Sequence, residues 1–509
     1  MSAVARTLQR HWLLSLLVLG GLALRVTAEV AYRPALLYID SFRYLTDLGV
    51  FAPDGLDPIG YELLMLGPLM LVGGLGYTVL MQHLLGLLLG VAIYALLRRF
   101  RVRRWIAALA AAPVLLDAYQ VQIEHTVMSD LLFQILLLLA IAVLTWRGAP
   151  GPKVAAMAGA VLAVCVLVRI VGITLAVPAV VFVLLAAGLR PHDGWRQRWK
   201  AAGALVGTFA ALLFGYSLYH LSWTGSLGLN DGNSSPLYGR AAVVADCGEL
   251  DLTYAERVVC PDEPHSVRQA RGIDYYLHLY KPFDGRLAPS AYPSAQASLG
   301  KKVLLHQPMD VLGGVVEDFF KGFAPTRTQA PGDVPLSRWQ FQTHYPMYTS
   351  TWYVHGWAEV YDVDLSVDPG AAGFLRAYQL GGGYAPGTVL GVALLVGFAG
   401  AAGAGRARRS GLRAVCLLPA GLCTTVLLTA AGLEFSWRYQ LPALVLAPVS
   451  AALGATAMIG RRDPGSQGSA AGSAGSAGTS GDAEIAGGTG DSGGAGEANA
   501  SARGTGATQ

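Results

Sequence analysis

Apolar residues fall in long, nearly unbroken runs rather than in the short alternating stripes of a water-soluble fold. Runs of spanning length occupy 12–31, 75–97, 105–120, 128–146, 154–168, 170–189, 201–220, 386–404, 412–431 and 440–459. One helical crossing of a bilayer needs about 20 apolar residues. The pattern therefore predicts an all-α polytopic membrane protein with about ten transmembrane helices, the runs at 105–120 and 154–168 being the shortest. Residues 1–31 carry no small-residue cleavage site after a short apolar core, so the first run is expected to stay as a helix. Composition agrees: 53% of residues are hydrophobic, 14% are charged, and the mean hydropathy is +0.45.

Charge supplies the orientation. With a cytoplasmic N-terminus and ten alternating helices, the inside segments hold 19 Lys and Arg, among them Arg98, Arg99, Arg101, Arg103 and Arg104. The short outside segments hold four: Arg33, Arg43, Arg169 and Arg438. This is the bias of the positive-inside rule. Were 58–74 (PIGYELLMLGPLMLVGG) a full span, the bias would invert for every later loop, so that segment is expected to be interfacial or re-entrant on the outer face. The net charge of +4 reflects topology and gives no reason to invoke nucleic acid.

Four regions follow. Residues 1–220 form a seven-helix module, 221–383 an extracytoplasmic mixed domain inserted after the seventh helix, and 384–460 a three-helix module. Residues 461–509, rich in Gly, Ser, Ala and Thr, form a disordered cytoplasmic tail. The 221–383 loop holds 21 of the 47 aromatic residues, and its 17 acids outnumber its 12 Lys and Arg. Cys247 and Cys260 both lie in it, where a disulfide would suit an oxidising compartment, whereas Cys165, Cys416 and Cys423 lie in apolar runs. Residues 299–323 read as an amphipathic helix packing the loop onto the membrane. The aromatic run 352–357 suits either sugar stacking or membrane docking. The Asp362-Val363-Asp364 triplet falls outside the cell, away from nucleotide sugars, and reads as a loop feature. No His/Cys spacing argues for a metal, and none is expected.

Candidate chemistry gathers at the outer ends of the runs. Arg25 ends the first. Asp40, Asp47, Asp54 and Asp57 occupy the first outer loop, and Glu124, His125 and Asp130 the second. Arg169 and the stretch Glu434-Phe435-Ser436-Trp437-Arg438-Tyr439 follow. Taken singly, each is accounted for as a helix cap or a snorkelling arginine; Asp47, Asp54 and Asp57 look solvated. Taken together, they form a rim where a lipid-linked anion and a water-soluble partner could meet.

The order of these residues resembles the GT-C superfamily of integral-membrane glycosyltransferases, including lipid A aminoarabinose transferase-like and protein O-mannosyltransferase-like enzymes. The matching features are Arg25, the outer Asp40-Ser41-x-x-Tyr44, Glu124-His125, Met128-Ser129-Asp130, Arg169-x-x-Gly172, the large loop, and Arg438-Tyr439-x-x-Pro442. The resemblance covers about 10–220 and 384–460 and implies a donor of polyprenyl-phosphate-linked sugar, with no other cofactor. It implies Asp40 as the catalytic acid of the first loop and Glu124 or Asp130 as that of the second. Arg438, Arg169 and Arg25 are the candidates for the carrier phosphate, with Tyr44 and His125 as further site residues. Inverting transfer from such a donor needs one carboxylate to take the acceptor proton, and positive charge where the phosphate leaves. The expected setting is the plasma membrane, with the site facing outside and a glycan, lipid or protein acceptor. A transporter or flippase of lipid-linked saccharides, or a ligase or polymerase using a diphosphate-linked donor, are the alternatives.

Overall fold

The computed structural model describes residues 9–53, 56–186, 194–230, 236–280, 286–346 and 364–460. The expectations for the 461–509 tail, for 352–357 and for the first two residues of the Asp362 triplet lie outside the described residues. Met1–Gly460 forms one compact unit.

Five helices are long and apolar enough to cross a membrane: Trp12–Ala31 (α1), Glu62–Arg99, Trp195–Thr224, Arg413–Leu433 and Trp437–Ile459. A sixth arises if the bent pair Arg104–Leu116 and Ala118–Glu124, which meet at 55°, counts as one. Four shorter apolar helices, Asp130–Thr145, Pro152–Val168, Ile170–Leu185 and Gly387–Ala402, complete the set. Among the described residues each apolar run is thus largely helical, as a chain in lipid must satisfy its backbone internally. The shortening has a local cause. Asp117 leaves the helical region at φ −64°, ψ 123° and caps the next helix, its Oδ1 accepting from Tyr119 N at 2.8 Å. Arg169 (φ −150°, ψ 120°) likewise ends the helix Pro152–Val168.

Segment 58–74 is helical and joined end to end with the following span. A π-turn over Glu62–Leu66 runs into α-helix Gly67–Arg99, and the direction changes at Gly74, whose φ of 70° only glycine adopts cheaply. The amphipathic stretch 299–323 is two helices, Tyr292–His306 and Pro308–Lys321. Pro308 forbids its predecessor the helical region, and Gln307 turns the chain at φ −126°, ψ 48°.

The inserted segment is mainly helical among the described residues, and it contributes one short strand. Among the described residues the structure has one two-stranded antiparallel sheet, pairing Tyr32–Arg33 with Ser366–Val367. Most of the segment's core is its own, around Tyr238, Val259, Tyr276, Leu299 and Val303, and Cys247 and Cys260 are bonded within it, with Cα atoms 6.3 Å apart. It is latched to the bundle by Arg327, which lies over the Tyr119 ring at 3.8 Å and donates to Gln440 Oε1 at 3.0 Å.

Helices Gly387–Ala402 and Ala443–Ile459 pack through small residues. A Cβ on Gly454 would lie 2.4 Å from Val396 O, and one on Gly400 would lie 2.6 Å from Gly454 Cα. This backbone-to-backbone approach is the usual way helices associate in lipid, where no hydrophobic force drives them together. Gly454→Val should wedge the pair apart and cost about 1–3 kcal/mol, read as a lower melting temperature in detergent. Gly432→Ala, where a Cβ meets nothing within 4 Å, is the control; equal melting of the two variants would contradict the packing argument.

Candidate active site

The site begins with a nine-residue helix, Ile39–Asp47, that follows α1 after a short extended stretch. That stretch is held by the second loop: Leu36 N donates to His125 O at 2.9 Å, and Val127 N to Leu36 O at 3.2 Å. Ser41 fixes the helix start, accepting from Tyr38 N at 2.9 Å and donating to Val127 O at 2.8 Å. Asp40 therefore sits in the first turn, where the helix dipole favours its charge.

Around it lies a chain of ion pairs. Arg438 Nη1 donates to Asp40 Oδ2 at 2.6 Å, while its Nε and Nη2 fork onto Asp130 at 3.0 and 2.9 Å. Arg169 reaches the same Asp130 at 2.9 Å, and Arg43 reaches Asp40 Oδ1 at 3.2 Å. The Arg438 guanidinium also lies 5.4 Å from the Trp339 ring centroid, and that of Arg169 5.7 Å from the Tyr439 ring. These groups border a cavity of about 400 Å³. Its charged lining is four arginines, Arg43, Arg169, Arg338 and Arg438, against Asp40, Asp57, Asp274 and Glu434. Asp130 lies behind the wall.

Burial pushes the Asp40 carboxyl up, but Arg438, Arg43 and Arg169 pull harder and hold it below the usual carboxylate range. Asp57 goes the other way, raised by burial and then by the neighbouring Asp40. Glu434 is pushed up to about 7 by burial, reinforced by Asp274 and Asp40 and opposed by the Tyr439 hydroxyl and Arg338.

Of the remaining sequence candidates, Arg25, Glu124 and His125 form a second cluster that does not line the cavity. Arg25, 1% exposed, places Nε and Nη2 on the two oxygens of Glu124, each at 2.8 Å. Its other donors go to Gly21 O, Leu115 O and Val114 O at 2.8–3.1 Å. Every guanidinium proton is thus committed, so Arg25 has none to offer a phosphate, and Glu124, fully buried, cannot meet an acceptor. Removing either partner would strand the other charge at a cost of about 3–5 kcal/mol. Tyr44 is buried too, its hydroxyl against Ser129 Oγ at 3.2 Å.

His125 shares this interior. Its Nε2 faces Tyr32 O at 2.8 Å and its Nδ1 faces His83 Nε2 at 3.0 Å, while His83 Nδ1 faces Glu124 at 3.3 Å. A neutral His125 must donate to the Tyr32 carbonyl, so His83 donates to His125. The remaining proton is then shared between His83 and Glu124. Glu29, His83 and His125 also have donor atoms within 4.8 Å of one another, a spacing that could hold a metal. The imidazoles, however, meet edge to edge, ring centroids 5.2 Å apart and 22° between planes. That is the geometry of a hydrogen bond, not of two ligands bent around an ion.

No protein-family profile matches this sequence, and no curated protein is significantly similar to it. Two crystal structures of ArnT from Cupriavidus metallidurans align with it at 15% identity. The apo form covers 90% of this chain and 78% of its own at a TM-score of 0.33; the form bound to undecaprenyl phosphate covers 88% and 78% at 0.31. At these values the likeness establishes neither a family nor an activity.

Sequence reasoning took Asp57 as solvated although it lines the cavity, named Glu434 and Arg43 at the outer boundary without a role, and missed Arg338 and Trp339. Arg338 and Trp339 come from the large loop, where no motif marks them. Glu434 had a signal, an acid between two apolar runs.

The raised carboxyls set a pH dependence of stability. A folded-state value above the ordinary 4.5 means that the folded chain holds its proton longer than the unfolded one. Glu434 therefore contributes stability below about 4.5 that is lost as pH rises through about 7. Asp40, shifted the opposite way, acts only in acid. Between pH 5.5 and 8 the wild-type melting temperature should fall by a few °C more than that of Glu434→Gln; parallel curves for the two proteins would contradict the assignment.

Proposed function

We propose that this protein is an integral-membrane glycosyltransferase that takes a sugar from a polyprenyl phosphate and passes it to a hydroxyl of a cell-envelope glycan, lipid or protein. The observation that carries this reading is the rim cavity, where Arg43, Arg169 and Arg438 converge beside Asp40. The order of short motifs that resembles the GT-C superfamily supports it.

In this reading the carrier phosphate lies on Arg438 and Arg169, with its isoprenoid along the apolar helices below. Arg438 is suited to the task, because Asp130 holds its Nε and Nη2 from behind and leaves Nη1 directed at Asp40. An incoming phosphate competes with Asp40 for Nη1 and for Arg43 without disturbing the Asp130 fork. Asp40 then loses two of the three cations that keep its carboxyl low, and its basicity rises when donor is bound. It takes the acceptor hydroxyl proton as the acceptor oxygen attacks the anomeric carbon. The bond from that carbon to the phosphate oxygen breaks with its electron pair going to the phosphate, where the arginines stabilise it. The basic ends of the bundle, including Arg98–Arg104, would face the cytoplasm and the cavity the outside, with ten crossings.

Arg438→Ala should weaken binding of undecaprenyl phosphate to the purified protein by about tenfold or more, the loss of a charge-assisted contact worth on the order of 2 kcal/mol. Arg438→Lys should recover only part, since an ammonium cannot hold Asp130 and reach the phosphate at once. Unchanged affinity in Arg438→Ala would remove this residue from the donor site.

A further inference from the structure

Glu434 is unusual among the charged groups of the rim. Its Oε1 accepts the Tyr439 hydroxyl at 2.9 Å, while its Oε2 is buried with no hydrogen-bond partner among the described residues. Among the described residues no guanidinium or ammonium forms an ion pair with it, whereas Asp40, Asp130 and Asp274 each have an arginine. A buried carboxylate oxygen left without a donor is costly, the more so when the group is charged. Such an atom calls for a partner that arrives with a ligand.

The position of Glu434 indicates where that ligand comes from. Behind the reaction cavity lies a second one of about 470 Å³, walled by the helices Pro236–Val244, His265–Asp274 and Pro308–Lys321 and the turn near Gly332. Three residues, Asp274, Val334 and Glu434, line both cavities. The second cavity carries five carboxylates, Asp274, Glu317, Asp318, Asp333 and Glu434, against two cations. Both cations are engaged: Lys321 lies 2.9 Å from Asp318 and 3.2 Å from Asp333, and Arg240 pairs with Asp318. The first cavity is thus rich in arginine and suited to phosphate, while the second is acidic and hostile to it.

Resting on the glycosyltransferase reading, we propose that the acceptor enters through the second cavity and is received by Glu434, which lines both cavities. The acceptor end that passes this cavity is then a hydroxyl- or ammonium-bearing group without phosphate or carboxylate. Donor and acceptor then reach Asp40 through different cavities, one lined by four arginines and the other with more carboxylates than cations. Glu434 is a positioning and selecting residue, and Asp40 keeps the proton transfer.

Carboxyl labelling of the purified full-length protein tests this without knowledge of the acceptor. A water-soluble carbodiimide couples amines to protonated carboxyls, and peptide mass spectrometry locates the product. At pH 6.5, with undecaprenyl phosphate bound, the preference for glycine ethyl ester, a cationic amine, over taurine, which carries a sulfonate, should be roughly tenfold greater at Glu434 than at the exposed Glu249. Undecaprenyl phosphate should shield Asp57 in the first cavity and leave Glu434 open. Ala270→Trp, on an exposed helix position lining the second cavity, should suppress coupling at Glu434 with the phosphate present, as should Ser266→Trp if Ala270→Trp fails to fold. The same amine preference at Glu434 as at Glu249, closure of Glu434 by undecaprenyl phosphate, or indifference to both tryptophans would overturn the proposal. Failure of the phosphate to shield Asp57 would sink the donor reading instead, while the amine selectivity at Glu434 would still decide the acceptor assignment.

Discussion

The arrangement of the rim depends on Asp130. Two guanidiniums, those of Arg169 and Arg438, come from helix ends far apart in sequence and meet on this one buried carboxylate. Without it, two like charges would face each other in a medium of low dielectric, where repulsion is several times its value in water. With it, the pair carries a net single positive charge, and each arginine keeps a face toward the cavity. Asp130 can do this because it opens the helix Asp130–Thr145, whose N-terminal dipole favours the anion. The cost is a helix too short and polar-ended to count as a span on length alone.

A second constraint lies one layer deeper. The Arg25–Glu124 pair, with the His83–His125 chain and the glutamines Gln82, Gln120 and Gln134, ties α1 to the second loop. Because that loop also holds the Asp40 helix through Leu36 and Ser41, the cluster sets where Asp40 stands without touching the cavity. Charged groups buried in a membrane protein are usually read as functional. Here the saturation of every Arg25 proton favours a positioning role.

Much of this was legible in the sequence, and the gaps have identifiable causes. Runs of apolar residues fix helix in lipid whatever their length, so each of the ten runs is found largely as helix among the described residues. Segment length alone did not reveal that Asp117 and Arg169 stop helices early, since that depends on caps and on partners hundreds of residues away. Asp40, Asp130, Arg169 and Arg438 were legible as a group because each marks the polar end of an apolar run. By the same rule Arg25, Glu124, His125 and Tyr44 were grouped with them, yet they turn inward; the direction a side chain takes at a helix end is a tertiary fact. Asp57 was misjudged from its Pro- and Gly-containing neighbours. Arg338 and Trp339 could not be found at all, because the large loop folds over the cavity through contacts that leave no local pattern.

The account turns on Asp40 as the carboxylate that receives the acceptor proton once donor phosphate has drawn its arginines away. The most direct test is transfer of radiolabelled sugar from a polyprenyl phosphate donor into membrane acceptors, comparing wild type with Asp40→Asn at matched protein levels. Asparagine keeps the shape and a hydrogen bond but cannot take a proton, so transfer should fall by about two to four orders of magnitude while undecaprenyl phosphate still binds. Transfer by Asp40→Asn close to the wild-type rate would contradict the account.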